Sequence, residues 1–136
     1  TNVLLYAVSK DPEEQDKAAR ANEILYSRKV ALSVQVLQEF YVQATRPSRA
    51  DRLTHDEATK LVESFLLFPV QAMTSALMLA AITTRERFRI SYWDAAILEA
   101  SRALGCDVVL SEDLNHAQDY AGVRVENPFV VNPGTD

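Results

Sequence analysis

The sequence predicts an α/β fold in which helices cover a parallel sheet. Short apolar runs of strand type alternate with longer stretches whose apolar residues recur at helical spacing. Such alternation is typical of βαβ units, whose strands run parallel. The length of 136 residues suits one domain, and no linker or internal repeat divides the chain. We therefore expect residues 1–136 to form a single domain.

The first helices and strand follow from local signals. Asp11 and Pro12 supply an N-cap and a proline at the first helical position, which predicts a helix over residues 12–27. Residues 29–32 then indicate a short buried strand. Ser33 caps the next helix, which a proline ends.

The middle of the chain repeats this order. Thr54 and Glu57 have the spacing of a capping box, which predicts a helix that ends near Phe68. Residues 70–73 can form a strand, and residues 75–88 a further helix.

The last third predicts another helix between two strands. Ser91 caps a largely apolar helix over residues 92–104, and Gly105 suits its C-terminal cap. Residues 107–111 have the apolar pattern of an interior parallel strand, and residues 122–126 favour one more strand.

Composition excludes several kinds of site. A lone cysteine, Cys106, allows neither an internal disulfide nor a cysteine-rich zinc site. The three glycines are too dispersed for a nucleotide-binding loop, and His55 and His116 lack metalloprotease spacing. No apolar run is long enough to span a membrane, so we expect a cytoplasmic protein.

The net charge of −5 comes from one end of the chain. Residues 1–105 are neutral, with 13 basic and 13 acidic residues, whereas residues 106–136 carry one Arg against six carboxylates. A nucleic-acid partner therefore stays possible. Two arginine triplets stand outside the acidic segment: Arg46, Arg49 and Arg52, and Arg85, Arg87 and Arg89.

Carboxylates follow the predicted strands, where open parallel sheets place their sites. Asp94 also suits the first turn of a capped helix, Glu39 also suits a solvated helix face, and Glu112 and Asp113 also suit a turn. Carboxylates that meet at one edge repel one another unless a cation neutralises them, and oxygen ligands favour Mg²⁺ or Mn²⁺. Such a site suits phosphodiester hydrolysis by metal-activated water.

Four segments resemble the motifs of the PIN-domain family, in the family's order: residues 1–6 (TNVLLY), 32–40 (LSVQVLQEF), 90–97 (ISYWDAAI) and 110–114 (LSEDL). The tail over residues 125–129 is similar to family members that act as VapC-type toxins.

The resemblance implies a three-layer α/β/α sandwich with a central parallel sheet. It implies an Mg²⁺- or Mn²⁺-dependent endoribonuclease, the toxin of a type II toxin–antitoxin system. By position, Glu39, Asp94 and Asp113 become the catalytic and metal-binding acids, and Thr1 and Ser111 become supporting hydroxyls.

Two departures from the family pattern matter. The leading Asp and the strand before it are absent, so we expect an N-terminally truncated domain whose native chain begins upstream of Thr1. A chain without that strand should be poorly stable or be held together by a separate fragment. Asn115 stands where many members have a second Asp.

The resemblance also implies partners: an RNA substrate, a cognate antitoxin and a second copy in a homodimer. Arg46 and Arg49 are placed to meet RNA phosphates, although arginines near a helix end also arise without any partner. Trp93 and Tyr92 are predicted to be core residues rather than platforms for bases.

Two other functions fit parts of the pattern. A catalytically inactive PIN-like interaction module would keep the fold without hydrolysis, as the absent first Asp allows. A receiver-like signalling domain needs a lysine on a late strand, and no lysine follows Lys60.

Overall fold

The computed structural model describes residues 1–27 and 29–130 and confirms the predicted α/β class. The helices are α1 (Asn2–Ala7), α2 (Gln15–Ser27), α3 (Val34–Ala44), α4 (His55–Phe65), α5 (Ser75–Phe88) and α6 (Tyr92–Ala103). The strands are β1 (Leu32–Ser33), β2 (Val70–Gln71), β3 (Val108–Leu110), β4 (Asp119–Tyr120) and β5 (Val123–Glu126). The upstream strand and Asp that the resemblance leads us to expect lie outside these residues.

The predicted helix starts are confirmed at the level of single hydrogen bonds. The Ser91 hydroxyl accepts the N–H of Asp94 at 3.1 Å, which caps α6. Thr54 and Glu57 form a complete capping box, each side chain accepting the other's backbone N–H. Because these signals act within three residues, the local sequence is enough to position them.

The end of α6 is a Schellman motif, as Gly105 suggested. Gly105 has φ +75°, the left-handed conformation that favours glycine. The N–H of Cys106 reaches back to the carbonyl of Ser101 at 2.9 Å, and the N–H of Gly105 to that of Arg102 at 3.0 Å. This turn directs the chain from α6 into β3.

Other predicted bounds were wrong or incomplete. The helix expected over residues 12–27 begins with a 3₁₀ turn at Pro12–Glu14. Strand β1 begins at residue 32 rather than 29, where the N–H of Leu32 donates to the Pro69 carbonyl, and ends at residue 33. Strand β4 was not predicted. It joins β5 through Ala121 and Gly122, both with positive φ, and alanine at such a turn position gives no recognisable sequence signal.

The strands form two separate small sheets. Strands β1 and β2 pair in parallel; in the other sheet β5 pairs in parallel with β3 and antiparallel with β4. A cavity of about 650 Å³ is lined by residues of both β1 and β3. Helix α6 contacts strands of both sheets, so it spans the cavity and connects them.

The core of the described residues forms three clusters, one of which lies between α5 and α6. One cluster includes Leu4, Phe40 and Phe65, with the two phenylalanine rings edge to face at 5.3 Å. Another packs Leu98 of α6 against Val125 of β5. No helix in the two described stretches is long and apolar enough to cross a membrane.

The core prediction for Trp93 was wrong. Its residue is 62% exposed, whereas Tyr92 is half-buried and packs against the α5–α6 cluster. Successive residues of a helix project about 100° apart, and of these two only Tyr92 packs against that cluster.

Candidate active site

The predicted acids line one cavity from three different elements. Glu39 comes from α3, Asp94 from the first turn of α6, and Asp113 from the loop after β3. Thr1 and Ser111, the predicted supporting hydroxyls, line the same cavity. Residues far apart in the chain therefore meet at the carboxyl-end side of β1 and β3, where a parallel sheet gathers its functional side chains.

Glu39 is fixed by a direct hydrogen bond. The Thr1 hydroxyl donates to Glu39 Oε1 at 2.7 Å, and both residues are half-buried. The alternative of a freely solvated Glu39 is therefore wrong.

Asp94 has both of the roles that its sequence context suggested, in the cap of a helix and at the candidate site. Its backbone N–H completes the cap of α6, while its half-buried side chain lines the cavity. Burial raises the pKa of the Tyr120 phenol, and the charge of Asp94 raises it further.

Ser111 organises the loop that presents Asp113. The Ser111 hydroxyl accepts the N–H groups of Asp113 at 3.1 Å and Leu114 at 3.4 Å. Its own N–H donates to the carbonyl of Glu126, which ties the loop to β5. Asp113 itself is exposed. The hydroxyl thus supports the site through the backbone of the loop.

Glu112 belongs to a network that sequence reasoning did not find. Its carboxylate accepts the Tyr6 hydroxyl at 2.9 Å and the Lys17 ammonium at 2.8 Å. Hydrogen bonds from Lys17 to Glu112 and to Tyr6 raise the pKa of that lysine. The Tyr6 ring also packs edge-on against Phe129 at 5.0 Å. The network holds α1, α2 and the loop carrying Asp113 together.

The chemistry of the donors fits a hard divalent cation, because Glu39, Asp94 and Asp113 offer only carboxylate oxygens. Within residues 1–27 and 29–130, however, no three His, Cys, Asp or Glu side chains are near enough to one another to hold a metal ion. The three carboxylates line the same cavity but do not converge on one position that an ion could occupy. Ligation of a common ion stays a prediction.

The structure treats the two predicted RNA-binding arginines differently. Arg49 lines the cavity, and its Nε lies 3.0 Å from Asp51 Oδ1. Arg46 is exposed just beyond the end of α3. Arg49 is therefore partly neutralised within the fold, and Arg46 is the more accessible of the two.

Comparison with known proteins agrees with the order of these motifs. The profile of the PIN domain family matches residues 1–121. The chain belongs to the PIN domain family. Ribonuclease VapC24 of Mycobacterium tuberculosis, from strain CDC 1551 / Oshkosh and from strain ATCC 25618 / H37Rv, is 31% identical to it over 138 residues. The match covers 95% of this chain and 94% of each relative, so the PIN-domain protein resembles a VapC-type relative along almost its whole length.

Proposed function

We propose that this PIN-domain protein is a cytoplasmic, Mg²⁺- or Mn²⁺-dependent endoribonuclease and the toxin of a type II toxin–antitoxin pair. The observation that supports it best is the common cavity of Glu39, Asp94 and Asp113, reached from three elements. The similarity to Ribonuclease VapC24 supports RNA as the substrate.

Glu39, Asp94 and Asp113 would hold the divalent ion. When bound, the ion supplies Lewis acidity toward water and phosphate, which is the requirement of phosphodiester hydrolysis near neutral pH. The protein's own part is to keep three mutually repelling carboxylates at one place. Thr1 orients Glu39 by its hydrogen bond, and Ser111 fixes the loop of Asp113.

Arg46 and Arg49 supply positive charge beside this acidic site. RNA phosphates require such charge, since carboxylates alone repel the substrate. Arg49 lies at the cavity and Arg46 beyond it, so the two mark a path for the RNA backbone.

The acidic cavity also suits an inhibitor. An antitoxin segment that carries Arg or Lys would satisfy the carboxylates and exclude RNA from the cavity. A homodimer is the assembly we expect for the toxin itself. Co-purification with the product of the adjoining gene, and light scattering at micromolar concentration, test the two partners separately.

Substitution of Asp94 tests the metal and the nuclease together. Asp94→Asn should abolish Mg²⁺- or Mn²⁺-dependent cleavage of RNA while the chain stays folded. Asp56→Asn is the matched control, because Asp56 is also an acidic residue in the first turn of a capped helix but lies in α4. Full residual cleavage by Asp94→Asn would refute the metal role.

An inactive interaction module is the second candidate. The absence of a closed three-ligand cluster within the described residues favours it. Binding of RNA or of a protein partner without cleavage, at millimolar Mg²⁺ and Mn²⁺, would select this function over hydrolysis.

A further inference from the structure

A second hollow adjoins the active-site cavity. This side hollow has a volume of about 220 Å³ and is lined by Gln35, Gln38, Glu39 and Trp93. Glu39 and Trp93 line the main cavity as well, so the two spaces are neighbours. A group bound in the side hollow therefore sits directly beside the carboxylates.

Trp93 is a large aromatic side chain held in an exposed position. It is 62% exposed, although it lies next to Asp94 at the start of α6. The Tyr92 ring packs edge-on against it at 5.0 Å, and its backbone carbonyl accepts the Gln35 amide at 3.2 Å. The Tyr92 ring thus supports the indole on one side and Gln35 holds the backbone of Trp93, while much of the residue's surface stays in water. Covering that surface with another aromatic system is favourable.

Gln35 carries a buried acceptor without a donor. Its residue is only 5% exposed, and Oε1 has no hydrogen-bond partner among the residues that the structure describes. A buried polar atom in that condition costs free energy, and such cases in native proteins usually have a reason. Gln35 lines the side hollow, so a rotation of its amide would bring Oε1 to a donor bound there.

An aromatic face and a hydrogen-bond acceptor are together what recognises a nucleobase. Bases of single-stranded RNA stack on exposed aromatic rings. Adenine, cytosine and guanine also carry an exocyclic amine that can donate to an amide oxygen. Uracil has no exocyclic amine, and its exocyclic groups are carbonyls. The charge of Glu39 favours an incoming donor over an acceptor.

We propose that the side hollow binds one unstacked base of the RNA substrate, with the base on Trp93 and its exocyclic amine on Gln35 Oε1. This base site rests on the ribonuclease function proposed above. It selects adenine, cytosine or guanine over uracil at the nucleotide beside the scissile phosphate.

Trp93 reports on its own occupancy, because it is the only tryptophan in the chain. Hexaadenylate, added with EDTA so that it is not cut, should quench the tryptophan fluorescence. A hexamer of abasic ribose phosphates should bind through its backbone without quenching. Anisotropy of end-labelled RNA gives the affinity independently.

Trp93→Ala should weaken hexaadenylate binding by roughly 5- to 150-fold, the range for loss of one base–aromatic stack. Trp93→Phe, which keeps a smaller ring, should lose less. Neither substitution should change the affinity for the abasic hexamer, which a merely structural loss would reduce as well.

The Gln35 acceptor is tested first on the unaltered protein. A purine riboside hexamer, which lacks the amine, should bind roughly 2- to 12-fold more weakly than hexaadenylate, the range for one hydrogen bond. Gln35→Met should remove that difference while stacking persists. Gln15→Met is the matched control, since Gln15 lies at the exposed start of α2.

The outcomes separate the two proposals. If RNA binds or is cut while Trp93→Ala leaves its affinity unchanged, the base site is overturned and the ribonuclease stands. If neither hexaadenylate nor hexauridylate is bound or cut, the ribonuclease is overturned and the base site with it. Equal binding of the purine riboside and adenine hexamers overturns the role of Gln35 alone.

Discussion

Removal of the Glu112 carboxylate tests the network that anchors the loop carrying Asp113. Glu112→Ala deletes three hydrogen bonds at once, from the Tyr6 hydroxyl at 2.9 Å, the Lys17 ammonium at 2.8 Å and the Asn2 amide at 3.5 Å. These bonds join elements from opposite ends of the chain. We therefore expect a measurable loss of stability even though the residue is partly solvated.

The size of the loss follows from the exposure of the two partners. The side chain of Lys17 is 43% exposed and that of Glu112 is 23% exposed. Hydrogen bonds to charged groups contribute about 1.5–3 kcal/mol when well buried, and exposed ion pairs about 0.2–1 kcal/mol. An intermediate value of about 1–2 kcal/mol fits this site. With an unfolding entropy of about 0.29 kcal/mol/K for 136 residues, Tm should fall by about 3–7 °C.

Thermal unfolding followed by circular dichroism measures this shift. Glu23→Ala is the control, because Glu23 forms an exposed ion pair with Arg20 within α2 and should change Tm by less than about 2 °C. The folded state raises the pKa of Lys17, so its contribution is complete below about pH 10 and is lost as pH rises through the folded-state value. A Glu112→Ala shift no larger than that of Glu23→Ala, or one that persists undiminished at high pH, would refute the reasoning.

Three further changes have defined outcomes. Ser91→Ala removes the cap of α6 and should cost about 1 kcal/mol, seen as a Tm decrease of about 3–4 °C that Ser91→Asp largely avoids. Asp51→Asn should lower the free energy of unfolding at pH 7 and have little effect near pH 2. The backbone N–H of Lys10 and then the charge of Arg49 lower the pKa of Asp51, so the stabilisation by its carboxylate exists above about pH 4 and disappears on acidification. Urea titrations at both pH values measure this difference. Millimolar Mg²⁺ or Mn²⁺ should raise Tm by mass action, and Asp94→Asn should lose the shift; an unchanged Tm in the unsubstituted protein would contradict a working metal site.

The parts of the fold that sequence predicted are those specified locally. The caps at Ser91 and Thr54 and the turn at Gly105 each depend on groups within a few residues, so residue identity alone locates them. The hairpin between β4 and β5 escaped prediction because its turn places Ala121, rather than a glycine or asparagine, at positive φ, where the Ala121 carbonyl accepts from the Arg102 guanidinium at 2.7 Å. Local chemistry thus predicted where the helices begin but not every strand.

The candidate site divides along the same line. Position after a strand or at a helix start left Glu112 as a candidate beside Glu39, Asp94 and Asp113. The resemblance to the PIN-domain family assigned the last three, and all three line the cavity. The pairing of Lys17 with Glu112 joins residues 95 positions apart, and the sequence around either residue does not identify its partner. The exposure of Trp93 depends on which face of α6 meets its neighbours, which helical spacing alone does not decide.

Helix α6 links the core to the candidate site. It carries Asp94 in its first turn, and one turn further along its Leu98 packs in the same cluster as Val125 of β5. A change in the packing of Leu98 should therefore shift the Asp94 carboxylate relative to Glu39 and Asp113, so that a substitution in the core alters the site without contacting it.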